Sequence, residues 1–216
     1  MTEADEIESG AAALGVALRS EQRDALVQFA ALLRRWNNAF NLVSRRDIPR
    51  LGARHLLDAL SLAPMLHGRR VLDLGTGAGL PGIALAIARP DVEFTLLDRS
   101  ERRIRFVRQA TIELNLRNAA PIACDYADFR AGTLFDTVVS RAVAKPAVLW
   151  RVAANLLAPG GIALFQVGAR ERDAADLDAN VEPLLVRIPG LTQAHHLLRV
   201  SRSAATPNMA PQDADR

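Results

Sequence analysis

One segment in the first half of the chain constrains the fold more than any other. Residues 71–82 read Val-Leu-Asp-Leu-Gly-Thr-Gly-Ala-Gly-Leu-Pro-Gly, so a short apolar run enters three alternating glycines. The apolar stretch Leu80–Ala88 follows and has the length of a helix. Glycine permits sharp turns and lets a ligand approach the backbone, and a strand that passes through glycines into a helix is the setting of a nucleotide-type binding loop. The segment therefore predicts a strand, a ligand-binding turn and a helix.

Short apolar runs alternate with helical stretches along the rest of the chain. This alternation is typical of a series of βαβ units, and strands that are apolar almost throughout indicate a parallel sheet covered on both faces. A chain of 216 residues fits one globular domain with room for a small appendage. The predicted strands are Val71–Leu74, Phe94–Leu97, Pro121–Ala123, Phe135–Val139 and Ile162–Val167, and the predicted helices are Leu80–Ala88, Glu101–Leu116 and Ala144–Leu157.

The chain divides into three predicted regions. Residues 1–67 form a helical cap, in which a helix starts at a capping Ser20, a second amphipathic stretch covers about residues 47–66, and residues 1–10 are an acidic, frayed start. Residues 68–201 form the sheet domain. Residues 202–216 are rich in Ala, Pro, Ser and Asp, which predicts a disordered tail.

Composition excludes several classes of protein. No apolar run reaches the roughly 18 residues that a membrane span needs, and the acidic N-terminus is unlike a secretory signal. The single cysteine, Cys124, excludes an intrachain disulfide framework and a cysteine-cluster zinc site. We therefore expect a cytoplasmic protein with no membrane segment and no metal.

The glycine loop is consistent with two kinds of ligand. As Gly77-x-Gly79-x-x-Gly82 it matches the dinucleotide pattern, but Asp73 lies on the preceding strand, where a carboxylate would repel a pyrophosphate. The same carboxylate suits a ligand with a cationic amino-acid end, such as S-adenosylmethionine. A structural turn without a ligand is the third interpretation.

Asp98, at the end of the second predicted strand, favours an adenosine ligand. An acid at this place can accept hydrogen bonds from both ribose hydroxyls, although it could instead cap the helix that follows. The turn Pro159-Gly160-Gly161, before a late strand, lies where many S-adenosylmethionine-dependent methyltransferases have a similar turn. It favours methyl transfer over nicotinamide chemistry.

Over about residues 15–200 the chain resembles the bacterial 16S rRNA guanine-N7 methyltransferases, the glucose-inhibited division protein B family. The glycine loop alone would be weak evidence, but several further segments make the resemblance specific. They are Trp36-Asn37-Asn38-Ala39-Phe40-Asn41-Leu42 with Ser44, Arg54-His55-Leu56-Leu57-Asp58, the Gly79-Leu80-Pro81-Gly82 form of the loop, Leu96-Leu97-Asp98, Arg105-Phe106-Val107-Arg108-Gln109 and Ser140-Arg141-Ala142.

The resemblance implies a Rossmann-like class I S-adenosylmethionine-dependent methyltransferase sheet with an N-terminal helical extension. It also implies that five residues contact the cofactor, namely Gly75, Leu80, Tyr126, Ala127 and Arg141. Reasoning from the loop and from the second strand adds Asp73, Gly77, Gly79 and Asp98 to the predicted S-adenosylmethionine site.

Two positions depart from the family's usual pattern. The family has a lysine where this chain has Val167, in Gln166-Val167-Gly168, and often has Arg-His where this chain has His195-His196. If that lysine touches RNA or cofactor, this chain binds more weakly or compensates with another arginine.

The implied reaction demands little of side chains. N7 of guanine carries a lone pair and no proton, and a sulfonium is an activated donor, so the enzyme works by alignment and by excluding water. We expect no catalytic base. Arg141, just past a strand end, is the candidate for positioning the guanine or the methionine carboxylate. The Asn/Asp-Pro-Pro-Tyr segment of exocyclic-amine methyltransferases is absent around residues 140–143.

Arginines are concentrated in two places, although the net charge is only +3. Residues 34–54 hold six arginines against one aspartate, and residues 99–108 hold five against one glutamate. Such clusters suit the phosphates of RNA, although a solvated helix face is the ordinary alternative. The predicted RNA contacts are Arg45, Arg46, Arg54, His55, Arg103 and His196, and the predicted partner of a monomeric protein is 16S rRNA or the small ribosomal subunit.

Other functions stay open at this stage. They are a small-molecule S-adenosylmethionine-dependent methyltransferase, a non-catalytic rRNA-binding assembly factor and, last, a nicotinamide enzyme.

Overall fold

Seven strands form one mixed sheet in the order β3-β2-β1-β4-β5-β7-β6. The computed structural model describes residues 2–44, 48, 51–141, 143–168 and 177–203, with only the backbone for residues 53 and 54. The strands are β1 (Arg70–Leu74), β2 (Glu93–Asp98), β3 (Ala119–Ala123), β4 (Phe135–Arg141), β5 (Leu157–Val167), β6 (Asn180–Val186) and β7 (His195–Ser201).

The helices cover both faces of the sheet. A π-helical segment, Gly52–Leu57, runs directly into α3, and a 3₁₀ turn, Ala63–Met65, leads to β1. The α-helices are α1 (Glu3–Ala13), α2 (Ser20–Phe40), α3 (Asp58–Leu60), α4 (Gly82–Ala88), α5 (Glu101–Glu113) and α6 (Pro146–Leu156).

Each face of the sheet has its own apolar core. On one face, Ile7 of α1 and Phe29 of α2 belong to the same buried cluster as Ile83 of α4 and Phe106 of α5. On the other face, Leu72 of β1 packs in a second cluster with residues of α6. The N-terminal helices therefore share the core of the sheet and have no separate core.

The predicted frayed start is wrong, because residues 3–13 form α1. Thr2 accepts a hydrogen bond from the Asp5 amide, and the Asp5 carboxylate accepts one from the Thr2 amide, which is a capping box. Ile7 is fully buried in the shared core. The capping residues and one apolar face hold this acidic segment in place.

The helix that follows begins at Ser20, so Ser20 lies inside α2 and does not cap it. The Gln22 side chain accepts a hydrogen bond from the Arg19 amide and donates to the carbonyls of Ile87 (2.9 Å) and Ala88 (3.0 Å). α2 thereby satisfies carbonyls at the C-terminal end of α4, which that helix leaves unpaired. The predicted second amphipathic stretch corresponds to the shorter π-helical segment, α3 and the 3₁₀ turn.

The predicted parallel sheet is correct for β1 to β5 and wrong for the last two strands. β7 pairs antiparallel with β5 and β6 pairs antiparallel with β7. β6 is an edge strand with Pro183 in its middle and no buried residue, so it lacks the continuous apolar run by which the other strands were recognised.

The predicted turn at residues 159–161 lies within the bounds of β5. Leu157 pairs with Phe135 and Ile162 pairs with Thr137, so the intervening residues bulge out of the ladder. Gly160 has a φ of 76°, in the left-handed region.

The predicted tail falls mostly outside the described residues, since 204–216 are not among them. Its first residue, Arg202, donates to the carbonyls of Ala154, Leu157 (2.9 Å) and Ala158 (3.3 Å). Among the helices of the described ranges, none is both long and apolar enough to cross a membrane.

Candidate functional site

A cavity of about 380 Å³ opens at the carboxyl ends of β1, β2, β3 and β4. Ligands of open α/β sheets bind at this edge, and the volume is in the range of small-molecule sites. The lining residues come from the glycine loop, the second and third strand ends, the start of α5 and the segment after β4. They are Leu42, Gly75, Thr76, Gly77, Ala78, Leu80, Leu97, Asp98, Arg99, Arg103, Cys124, Tyr126, Arg141 and Val143.

The backbone amides of the glycine loop are mostly satisfied within the protein. Seven of the amides between residues 75 and 83 donate to protein acceptors, among them the Leu97 carbonyl and the carboxylates of Asp73 and Asp98. A pyrophosphate site needs free amides directed at the ligand. The loop is therefore poorly suited to a dinucleotide and better suited to a ligand that brings its own donors.

Gly75 makes the loop possible in two ways. Its φ of 73° lies in the left-handed region, and a Cβ at this position would lie 2.4 Å from Val143 Cγ2. The absence of a side chain lets the segment after β4 approach the loop after β1, so both form adjoining walls of the cavity.

Asp73 does not reach the cavity surface. Its side chain is fully buried, and Oδ2 accepts a hydrogen bond from the Gly82 amide at 2.9 Å. Burial raises the pKa of Asp73 to about 6, against the opposing influence of the nearby Thr76 hydroxyl and the Gly82 amide. In this position the carboxylate fixes the start of α4 against β1.

Two polar side-chain atoms lie behind the loop. Both Asp73 Oδ1 and Thr76 Oγ1 are buried. The Thr76 hydroxyl is close enough to the Asp73 carboxylate to oppose the rise in its pKa, so these two side chains are polar neighbours behind the loop. Of the two, only Thr76 lines the cavity.

Asp98 is almost completely buried at the end of β2, with 5% of the residue exposed. Oδ2 accepts from the Gly77 amide at 2.9 Å and lies 3.5 Å from Arg103 Nη1, and Oδ1 accepts from the Ser100 amide at 2.8 Å. Ser100, whose hydroxyl accepts from the Arg103 amide, caps α5, so Asp98 is not the cap of that helix. Its carboxylate is left to face the cavity.

The ends of β2 and β3 supply the other wall near Asp98. Leu97, Cys124 and Tyr126 line the cavity there, and Tyr126 is one of the predicted cofactor contacts. Ala127 is exposed and does not line the cavity; its amide donates to Asp125 Oδ1 at 3.0 Å. Gly79 is also outside the lining, and a Cβ there would lie 2.5 Å from Ile83 Cδ1, so it permits close packing of the loop on α4.

Arg141 lies at the carboxyl end of β4 and lines the cavity, as predicted. Its Nη1 is 3.5 Å from Asp58 Oδ2 and 3.2 Å from His55 Nδ1. The motif Arg54-His55-x-x-Asp58 thus reaches the site through Arg141. His55, predicted to bind RNA, contacts this arginine.

The other predicted RNA contacts have different positions. Arg103 is exposed at the cavity mouth, and His196 is partly exposed on β7. Arg45, Arg46 and the side chain of Arg54 lie outside the described residues. Trp36 packs against Phe106 with ring centroids 5.6 Å apart and is partly buried against the core.

The two arginine clusters are partly neutralised. Arg34 pairs with Glu3 on α1, and Arg35 pairs with Glu113 on α5 at 2.8 Å. On α5, four arginines are exposed: Arg102, Arg103, Arg105 and Arg108. Three of these four also have partners: Arg102 donates to the Phe40 carbonyl (2.9 Å), Arg103 lies 3.5 Å from Asp98 and Arg108 lies 3.4 Å from Glu101.

The two departures from the family's usual pattern are neighbours in the sheet. Val167 of β5 pairs with His196 of β7 at the same edge as the cavity, and His195 Nδ1 lies 2.6 Å from Asp58 Oδ1. A sequence comparison along the chain cannot show that these positions adjoin.

Sequence reasoning missed several lining residues, namely Leu42, Thr76, Ala78, Leu97, Arg99, Cys124 and Val143. Most of them lie in or next to a predicted motif, so their place beside the predicted residues could have identified them. Leu42 ends the Trp36–Leu42 motif, and Asn37 Oδ1 of the same motif accepts from the Val43 amide at 2.8 Å and holds the turn that brings Leu42 to the cavity. Within the described ranges, His, Cys, Asp and Glu side chains form no group of three that could hold a metal ion.

Comparison with known proteins agrees with this site. A family profile described as GidB, rRNA small subunit methyltransferase G, matches residues 22–189. The ribosomal RNA small subunit methyltransferase G of Methylococcus capsulatus is 46% identical over 195 residues, which is 88% of this chain and 95% of the relative. The protein of the same name from Chromohalobacter salexigens is 41% identical over 204 residues, which is 91% of this chain and 96% of the relative.

Solved structures show the same fold. A SAM-dependent O-methyltransferase from Thermotoga maritima superposes with a TM-score of 0.55 at 14% identity, covering 69% of this chain and 66% of that chain. The predicted Rossmann-like class I methyltransferase fold is confirmed. With the profile and these relatives covering most of the chain, the protein belongs to the GidB family, rRNA small subunit methyltransferase G.

Proposed function

We propose that this chain transfers a methyl group from S-adenosylmethionine to N7 of a guanine in 16S rRNA. The observation that carries the proposal is the convergence of the glycine loop, Asp98 and Arg141 on one cavity. It is supported by membership of the rRNA small subunit methyltransferase G family.

The residues around the cavity fit S-adenosylmethionine. Asp98 offers carboxylate oxygens to ribose hydroxyls, and Tyr126, beside Leu97 and Cys124, offers an aromatic side chain to an adenine. Thr76 also lines the cavity and is suited to a polar end of the ligand. Bound S-adenosylmethionine supplies a methyl group on a sulfonium, an activated donor with a neutral leaving group.

The side chains of the site have binding and alignment roles in this reaction. Guanine N7 attacks with a lone pair and releases no proton, so no general base is required. Arg141 has only donors, so it can hold a carboxylate or a guanine oxygen but cannot accept a proton. The contribution of the protein is orientation of the acceptor and exclusion of water.

The exposed arginines of α5 are suited to the RNA. Arg99 and Arg103 line the cavity at the start of this helix, and Arg102 and Arg105 are exposed along it. Arginine forks onto phosphate oxygens, so a nucleotide entering the cavity would be flanked by backbone contacts on α5. We further propose that the protein is cytoplasmic, in keeping with a single cysteine that leaves no intrachain disulfide, and that it acts as a monomer.

The experiment that tests this function follows labelled methyl groups. The protein is incubated with methyl-labelled S-adenosylmethionine and either naked 16S rRNA or assembled small subunits lacking the modification, and the product is digested for mass spectrometry. We expect one 7-methylguanosine in at least one substrate and its loss from cells that lack the protein. Absence of transfer to both substrates, or label at another atom, would overturn the proposal.

A further inference from the structure

Three strands and one helix meet at a single buried carboxylate. Asp58, the first residue of α3, has only 6% of its side chain exposed. Its Oδ1 lies 2.6 Å from His195 Nδ1 of β7 and 2.9 Å from Gln166 Nε2 of β5. Its Oδ2 faces Arg141 Nη1 of β4 at 3.5 Å.

A carboxylate this deeply buried needs compensation for its lost hydration. The three neighbouring groups provide it, because each can donate a hydrogen bond and Arg141 carries a positive charge. The two carboxylate oxygens have different partners. His195 and Gln166 contact Oδ1 and so fix the plane of the carboxylate. Oδ2 is then directed at Arg141.

His55 holds the same nitrogen of Arg141 from a second side. An arginine only donates, so His55 Nδ1, 3.2 Å from Arg141 Nη1, must be the acceptor. The proton of a neutral His55 ring is therefore assigned to Nε2. His55 lies in the π-helical segment that runs directly into α3 at Asp58, and both side chains reach the same nitrogen of Arg141.

We propose that Asp58 and His55 are positioning residues that fix the guanidinium of Arg141 in the cavity. Both contacts use Nη1, so Nη2 and Nε are the donors that Arg141 presents to a bound ligand. The pair thereby removes rotational freedom from a long side chain before the ligand binds, which is pre-organisation. The role of Arg141 in catalysis rests on the proposed function; its immobilisation does not.

The first test measures the mobility of Arg141 directly. Nitrogen NMR of the guanidinium, assigned with Arg141→Lys, should show separate, slowly exchanging Nη signals in the wild-type protein. Asp58→Asn should average these signals, since the amide keeps the shape of the side chain but loses the charge. Averaged signals in the wild-type protein, or no change in Asp58→Asn, would overturn the proposal even if methyl transfer failed.

The second test measures whether the effect of Asp58 on catalysis depends on Arg141. We expect Asp58→Asn to lower kcat/KM for methyl transfer at least tenfold, but to have little further effect in an Arg141→Gln background. A purely structural role would give equal losses in both backgrounds and would contradict the proposal. If wild-type protein transfers no methyl group, the proposed function fails, and the mobility of Arg141 still decides the positioning role.

Substitutions at two neighbouring positions distinguish the effect of the Asp58 carboxylate from that of its surroundings. Ser61→Ala removes a hydrogen bond to the Asp58 carbonyl (2.6 Å) without touching the carboxylate, so Arg141 mobility and kcat/KM should stay unchanged. His195→Asn places an amide nitrogen where Nδ1 was and should preserve the Arg141 signals, whereas His195→Phe should average them. Thermal melting of each variant reports any general loss of folding.

Discussion

The Asp98 carboxylate accepts a hydrogen bond from the Gly77 amide at 2.9 Å, and so links the end of β2 to the loop that follows β1. The same side chain faces the cavity and lies 3.5 Å from Arg103 Nη1. One residue therefore shapes the binding loop, lines the ligand site and pairs with Arg103, an exposed arginine of α5.

Asp98→Ala should weaken S-adenosylmethionine binding by roughly 1–3 kcal/mol, because polar partners of the carboxylate lose their acceptor. Isothermal titration calorimetry measures the change, and Asp98→Asn, which keeps one oxygen, should lose less. The matched control is Asp91→Asn at the opposite edge of the sheet, where the carboxylate pairs with Arg89. Wild-type affinity in Asp98→Ala would mean that the residue only supports the loop.

Gly75→Ala should destabilise the fold and reduce affinity for S-adenosylmethionine. Two causes act together: a left-handed residue with a Cβ costs about 1–2 kcal/mol, and the added carbon would lie 2.4 Å from Val143 Cγ2. A second substitution, Val143→Ala, should remove the clash but leave the backbone strain. Urea unfolding of both single variants and the double variant separates the two contributions, and simple additivity would show that residues 75 and 143 do not interact.

Asp73→Asn should change the pH dependence of stability. Burial raises the pKa of Asp73 to about 6 from an ordinary 3.8, so the native state holds this proton more strongly than the unfolded state. The contribution of Asp73 to stability is thus present below about pH 4 and is lost as pH rises through 6. At neutral pH the uncharged variant should be more stable, by up to about 3 kcal/mol, while its amide oxygen still accepts from Gly82.

Urea unfolding between pH 5 and 8 tests this expectation. Asp136→Asn is the control, because its change in stability at neutral pH should have the opposite sign. Burial tends to raise the pKa of Asp136, but amide hydrogen bonds from Arg69 and Arg70 lower it overall. Its carboxylate therefore stabilises the fold at neutral pH, and Asp136→Asn should be less stable there. A steeper fall in stability above pH 5 for Asp73→Asn would contradict the assignment.

Ile7→Ala should cost about 2–4 kcal/mol in the free energy of unfolding, the usual range for emptying a buried apolar site. Ile7 is fully buried on α1, whereas Ala12, on the same helix, is exposed. Ala12→Ser is accordingly the control, with a change of about 0.5 kcal/mol. An equally small change for Ile7→Ala would contradict the burial of α1 in the core and would indicate that this segment is frayed.

Arg102→Gln and Arg105→Gln should weaken binding to 16S rRNA. Each should also lower the salt dependence of binding by about one unit of slope, because one arginine no longer neutralises a phosphate. The effect on S-adenosylmethionine affinity should be small for Arg105→Gln, since Arg105 does not line the cavity, and larger for Arg102→Gln, which also loses a hydrogen bond to the Phe40 carbonyl (2.9 Å) beside the turn of Leu42. Arg70→Gln, at the opposite edge of the sheet, is the control. An unchanged salt slope in both α5 variants would exclude this helix from the RNA interface.

Local patterns were sufficient to predict the centre of the fold. The strands from β1 to β5, the helix after Asp98 and the glycine loop each follow from a few neighbouring residues, because apolar runs and glycines act over short distances. The capping box of α1 was also readable as Thr2-x-x-Asp5. Its acidic composition concealed it.

Contacts between distant residues could not be predicted in this way. Asp58 and His195 are 137 residues apart, and their 2.6 Å contact depends on an antiparallel strand whose edge partner, β6, has no buried residue. Asp73 illustrates a second difficulty. The motif indicated the right residue, but only the packing of α4 on β1 shows that its carboxylate is turned away from the cavity.

The hydrogen bonds from Gln22 to the last carbonyls of α4 have a consequence for the order of folding. α4 has only seven residues, and isolated helices of that length do not persist in water. It therefore has to form together with its docking against α2, a contact that closes a loop of 65 residues. During synthesis α2 emerges before β1 and α4, so α4 docks on a segment that has already left the ribosome, and the glycine loop is joined to the N-terminal helices before the strand ends that close the cavity, those of β3 and β4, are made.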